Sequence, residues 1–141
     1  MRSFLLAAAL AATTLAACEK SDRTTDTAAA KSIDVPEVTV EQLDQQLAAK
    51  TAQAVDANGP ATRKKLGVIP GAIMLPDTEN WSPSELPSDK DKPLVFYCSN
   101  SHCDASHEAA GKALNAGYKN VKVLPEGIAG WVKAGKKVQS I

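Results

Sequence analysis

The chain is 141 residues long, the size of one ordinary domain. Its 16 Lys+Arg balance 16 Asp+Glu, so it lacks the basic excess of a nucleic-acid binder, and with 4% aromatics it cannot form a stacking platform for single strands. Hydrophobic residues make up 44%, enough for a core, but no apolar run reaches the roughly 18 residues of a membrane span.

Met1 to Ala17 holds 13 apolar residues, and removing it takes away one cation, Arg2, leaving a net charge of minus one. Arg2 is a short positive n-region, and Phe4 to Ala12 is an uninterrupted apolar stretch of signal-peptide length. Leu15-Ala16-Ala17-Cys18 resembles the lipobox of bacterial lipoproteins, in which cleavage precedes the cysteine and its thiol is acylated. Residues 1–17 are therefore expected to be a lipoprotein-type signal peptide and Cys18 the lipidation site, since several acyl chains hold a protein stably to a bilayer. Two other readings stay open: a secretory signal cleaved after Ala17, and a core helix of a cytosolic protein. Glu19 to Asp34 has no large apolar residue before Ile33, so residues 18–34 read as a flexible tether. The domain is expected over 35–141.

Val38 to Val40 is a short strand candidate. Glu41 to Lys50 follows as a helix with Leu43, Leu47 and Ala48 on one face. Ala54-Val55-Asp56 is a brief buried strand. Asn58-Gly59-Pro60 starts a short helix, with Lys64-Lys65 and then Gly67 as its basic, glycine-stopped end. Ala72 to Leu75 is another strand, and Asp77 to Pro87 an irregular loop around Trp81. Leu94 to Tyr97 is a strand, Asp104 to Ala116 a helix with Ala105, Ala109, Ala113 and Leu114 sharing a face, Val121 to Leu124 a strand, and Ile128 to Ala134 a closing helix. Alternating strands and helices predict a single α/β domain with a mostly parallel central sheet flanked by helices.

Cys98 directly follows the strand Leu94 to Tyr97, and Ser99, Asn100, Ser101, His102, Cys103 and Asp104 separate it from the next helix. In an open parallel sheet, ligands bind beyond the carboxyl ends of the strands. Unpaired N–H groups at a helix start favour an anion, so a thiolate at Cys98 is expected to be stabilised and its pKa lowered. Asp104 opposes this unless it points to solvent. Taken alone, a strand-end cysteine is more often a small buried hydrophobe.

The chain resembles the rhodanese-like family. Val55-Asp56 followed by Gly67-Val68-Ile69-Pro70-Gly71-Ala72 resembles the family stretch "VDVR…GHIPGAxxIP", and Leu94 to Cys98 its "VVVYC" strand and nucleophile. Ser106 to Ala110 with Gly117-Tyr118-Lys119-Asn120-Val121 resembles "SxxAA…GFxNV", and Gly127-Ile128 to Trp131 resembles "GGIxxW". The resemblance spans Val35 to Gly135. It implies a single rhodanese-like domain and a sulfurtransferase in which Cys98 accepts a sulfane sulfur as a persulfide and passes it on, without metal or organic cofactor. Asp56 belongs to a structural region near the site in such relatives; here it is expected to cap N–H groups of the Asn58-Gly59 turn.

Three departures modify that expectation. The segment from Cys98 to Ser106 is two residues longer than the family's "CRxGxRS" and contains no Arg or Lys. Val68 replaces the family's His, and Ala57-Asn58 its Val-Arg. An anionic donor would meet little fixed positive charge, so thiosulfate turnover is expected to be weak. Cys103, five residues after Cys98, is a candidate resolving thiol able to close a disulfide if the loop curls; it can equally face the core. Cys98, His102, Cys103 and His107 are zinc-competent types, but their spacing is not a usual site and no metal is expected. Trp131 is expected to pack the last helix on the sheet.

The expected partners are a small sulfur donor or thiol acceptor and, through the lipid anchor alone, a membrane; the protein is expected to be a monomer. It would be tethered to the periplasmic side of a bacterial membrane, the outer membrane being favoured. The alternatives are a rhodanese-fold binding module without turnover and a thiol-redox protein using the Cys98/Cys103 pair.

Overall fold

The computed structural model describes residues 34–77 and 79–141. The proposed signal peptide, the Cys18 lipidation site and nearly all of the tether lie outside the described residues.

Thr39 opens the first helix. Its hydroxyl accepts the N–H of Gln42, while the Gln42 side chain accepts the N–H of Thr39, a reciprocal cap that starts α1 at Val40–Ala48. This corrects the strand expected over Val38 to Val40. Only a single parallel bridge, Glu37 with Val123, forms there, because the cap turns the chain away from the sheet. On α1, Val40 and Leu43 are buried and Leu47 is half-buried, whereas Ala48 is exposed.

β1 (Gln53–Asp56), β2 (Ile73–Met74), β3 (Leu94–Tyr97) and β4 (Val121–Leu124) form one sheet in the order β2-β1-β3-β4, all parallel. β3 is buried at every residue, as expected of a central strand covered on both faces. The helices α2 (Pro60–Leu66), α3 (Ala105–Asn115) and α4 (Gly127–Lys133) complete the domain. Pro60 sits in the first turn of α2, where a missing N–H costs nothing. The α/β architecture expected from the sequence is the one observed.

Two apolar layers flank the sheet. On one side Val55, Phe96 and Val123 meet Ala109, Ala110 and Ala113 of α3 together with Trp81 and Tyr118. The small residues of α3 let it lie close to the sheet, and the loop before β3 fills the remaining volume with Trp81. On the other side Ala54, Val95 and Tyr97 meet Leu43, Ile128 and Trp131. Trp131 thus packs α4 on the sheet, and its indole N–H donates to the Lys137 carbonyl at 2.8 Å. Helices on opposite faces follow β1 and β3, and the strand order reverses between those two strands. Their carboxyl ends therefore form the switch-point crevice of the sheet.

Asp56, at the carboxyl end of β1, is fully buried. Its Oδ1 accepts the Asn58 N–H at 2.6 Å and the Arg63 Nε at 3.2 Å. Arg63 Nη2 also donates to the carbonyls of Asp56 and Leu75, at 3.1 and 2.7 Å. One guanidinium from α2 thereby ties β1 to the chain leaving β2. The Tyr97 hydroxyl accepts the Ile69 N–H at 3.0 Å. Burial, and then the neighbouring Asp56 carboxylate, push the Tyr97 phenol far above its ordinary range.

Two outcomes follow from this polar cluster. Arg63→Ala leaves a buried carboxylate without its cation and is expected to cost about 3–5 kcal/mol in denaturant unfolding. Tyr97 stays protonated in the folded protein while unfolded tyrosines ionise near pH 10, so its stabilising contribution is complete below about pH 10 and lost as the pH rises past it. Tyr97→Phe is expected to be less stable near neutral pH, because Ile69 loses its acceptor, and to lose less stability on alkaline titration.

Candidate active site

Cys98 directly follows the end of β3, at the switch point between β1 and β3. Its side chain turns to the α3 side and is 1% exposed. The backbone around it is clamped by α4: Ile128 N–H donates to the Cys98 carbonyl at 2.9 Å and Ala129 N–H to the Ser99 carbonyl at 3.0 Å. The clamp requires Gly127. With φ at +60°, a Cβ there would lie 2.5 Å from the Cys98 carbonyl oxygen and 2.8 Å from the Asn100 nitrogen.

Beyond Ser99 the chain winds round Asn100. The Asn100 side chain accepts the His102 N–H at 2.9 Å and its carbonyl accepts the Cys103 N–H at 3.1 Å. This turn carries Cys103 back over Cys98, with Cα atoms 6.3 Å apart and the two sulfurs joined in a disulfide. Asn100, Ser101, His102 and Asp104 are exposed, and Ser99 and Cys103 half-buried.

The expected ring of amides around the sulfur is absent among the described residues. Cys98 Sγ lies 3.0 Å from the Cys103 carbonyl oxygen and 3.3 Å from the Ser106 hydroxyl, and no backbone N–H is directed at it. The reason is local. Two loop amides are spent on Asn100, so the curl delivers a sulfur and a carbonyl where an anion cradle was anticipated. Asp104 does point to solvent, and its carboxylate does not cap α3.

Two cations beside the sheet, Arg63 and Lys112, are committed elsewhere. Arg63 is held by Asp56 and Leu75. Lys112 donates to the carbonyls of Trp81 and Glu79, at 2.5 and 3.2 Å, and lies over the Trp81 ring. Trp81 is core, 2% exposed and stacked obliquely on Phe96. His102 is exposed, and His107 lies 3.9 Å from Glu37 at the surface. Among the described residues, no group of three or more His, Cys, Asp or Glu is placed to hold a metal ion. Cavities of about 300 and 470 Å³ lie beside α1 and beside Trp131, away from Cys98.

Three contributors were missed in the sequence. Arg63 has no place in the sequence reading, which names only Lys64-Lys65 at that helix end; an arginine seven residues after a strand-end acid is the available signal. Ser106 was noticed within a motif but not as a neighbour of the sulfur. Gly127 was noticed likewise, but its role needs the coordinates, because the atoms it must avoid are about thirty residues away.

The chain matches the rhodanese-like domain family over residues 39–134. No curated protein sequence matches it. Among solved structures it is similar to the BH2092 protein from Bacillus halodurans, at 25% identity and a TM-score of 0.65, over 74% of this chain and 77% of that one. It is also similar to a thiosulfate sulfurtransferase from Pseudomonas aeruginosa, at 26% identity and a TM-score of 0.62, over 75% of this chain and 20% of that one. A 3-mercaptopyruvate sulfotransferase from Escherichia coli shares the fold at 21% identity and a TM-score of 0.61, over 77% of this chain and 51% of that one.

Gly127→Ala forces both a clash with the Cys98 loop and a strained φ. It is expected to cost about 2–4 kcal/mol and to alter the rate at which a thiol reagent labels Cys98 after reduction. Gly71 also has a positive φ, +76°, but open space around it. Gly71→Ala is therefore expected to show only the smaller, strain-derived loss and no change in Cys98 labelling.

Proposed function

This chain belongs to the rhodanese-like domain family, and from that premise we propose that it is a sulfurtransferase that carries sulfane sulfur as a persulfide on Cys98. The observation that carries this reading is the place of Cys98: the first residue after a central parallel strand, at the switch-point crevice, with its backbone held by α4. In the transfer step the Cys98 thiolate attacks the outer sulfur of a donor. A bond forms from Cys98 to that sulfur, the donor's own bond to it breaks, and the remainder of the donor leaves with the electron pair. No metal or organic cofactor enters the step.

The loop's chemistry selects the donor class. Cys98 to Ser106 offers no cation, and Arg63 and Lys112 are engaged with protein carbonyls and Asp56. A donor of low charge or a protein-borne persulfide fits this surface better than a dianion, whose desolvation would go uncompensated. The proposed setting is the bacterial envelope. The apolar leader and Leu15-Ala16-Ala17-Cys18 support export and attachment through lipid on Cys18, with the periplasmic face of the outer membrane favoured. The partners proposed are a small sulfur donor and a thiol acceptor, acting on a monomer.

The test is intact mass of the reduced Cys103→Ser protein after exposure to thiosulfate, polysulfide or mercaptopyruvate. A gain of one sulfur atom located on Cys98 is expected, faster with the monoanion mercaptopyruvate than with the dianion thiosulfate, and absent from the Cys98→Ser protein. Failure to load with any of the three donors would leave the binding-module reading in its place.

A further inference from the structure

We propose that Cys103 is a second catalytic residue: it is the built-in acceptor that resolves the Cys98 persulfide and releases its outer sulfur as hydrosulfide. This rests on Cys98 being the persulfide carrier. The sulfur-to-sulfur bond of Cys98 and Cys103, with Cα atoms 6.3 Å apart, shows that the loop can place the second thiol on the first. The separation is inside the limit of about 7 Å for a bridge formed without backbone movement. The turn that does this is organised by Asn100, through the His102 and Cys103 N–H groups. In this bonded arrangement Cys98 is 1% exposed beneath that turn and Cys103 is half-buried directly over it, so the second thiol is already within reach of the first.

The step balances without an added oxidant. The Cys103 thiol attacks the inner sulfur of the persulfide, Cys98 Sγ. A Cys103–Cys98 disulfide forms, the bond from Cys98 Sγ to the outer sulfur breaks, and that sulfur leaves with the electron pair as hydrosulfide, keeping the proton lost by Cys103. The sulfane sulfur is reduced and the two cysteines are oxidised. The enzyme is then in the bonded form described above, and a dithiol reductant must consume the disulfide before another turnover. The reaction sequence is therefore donor, persulfide, disulfide and dithiol, with sulfide as the product.

The experiment is a single turnover of fully reduced protein with excess thiosulfate, without any external thiol, long enough for slow loading to finish. Sulfite counts transfer, sulfide counts release, and intact mass records the cysteine state. The wild-type chain is expected to give about one equivalent each of sulfite and sulfide and to end two hydrogens lighter, as a disulfide. Cys103→Ser and Cys103→Ala are expected to give the sulfite, hold one extra sulfur, and release sulfide at least about tenfold more slowly until a dithiol is added. A wild-type protein that keeps the extra sulfur, or Cys103 variants that release sulfide at the wild-type rate, would overturn the role of Cys103 and leave the carrier reading standing. Absence of loading in every variant, with polysulfide and mercaptopyruvate as well as thiosulfate, would overturn both.

Discussion

The site depends on a backbone clamp. Two consecutive N–H groups at the start of α4 hold the carbonyls of Cys98 and Ser99, and residue 127 must have no side chain for the two segments to approach that closely. The end of β3 is thereby fixed in position relative to a helix from the far end of the chain. With that end fixed, the polar residues after Ser99 have only one turn in which to reach α3, and Asn100 organises it. The disulfide is a consequence of the clamp and the Asn100 turn acting in series, since Cys103 follows Asn100 by three residues.

Below the clamp, the opposite face of the sheet is stabilised by a second polar device. Asp56, Arg63 and the Leu75 carbonyl join β1, α2 and the chain after β2, and the Tyr97 hydroxyl takes the Ile69 N–H beside them. Tyr97 and Cys98 are successive residues of one extended chain, so their side chains point to opposite faces. The charged cluster therefore lies under the sheet, and the sulfur lies over it. This separation keeps Arg63 away from the nucleophile. Arg63 supports the frame and leaves the loop electrically plain.

Much of the frame was legible in the sequence. The run Leu94 to Tyr97 was readable as a central strand because four consecutive apolar residues suit only a strand covered on both faces. Gly67 and the basic end of α2 likewise mark a helix stop. Val38 to Val40 was misread because β-branched residues favour strands, while the reciprocal cap between Thr39 and Gln42 was overlooked; a hydrogen-bonded cap decided the segment against propensity. The position of Cys98 was readable from the strand-to-helix handover. The surroundings of its sulfur were not, because they depend on how the amides of a six-residue loop are spent, and the Asn100 side chain competes for them. Cys103 could be named as a candidate from spacing, but the distance it must span is a property of the curl.

The absence of an amide cradle bears on the chemistry as well as the geometry. A family nucleophile surrounded by N–H groups is suited to hold anions in succession, donor, thiolate and persulfide. Here, among the described residues, a carbonyl oxygen and a hydroxyl face the sulfur; the Ser106 hydroxyl alone can donate to a buried negative charge, with neither a cation nor a directed N–H beside it. A long-lived persulfide anion would be poorly held in such a place. A disulfide carries no charge, buries without penalty and needs none of the missing donors. The loop is thus better matched to the neutral end of the reaction sequence than to its anionic middle, which favours rapid passage of sulfur from Cys98 over its storage there.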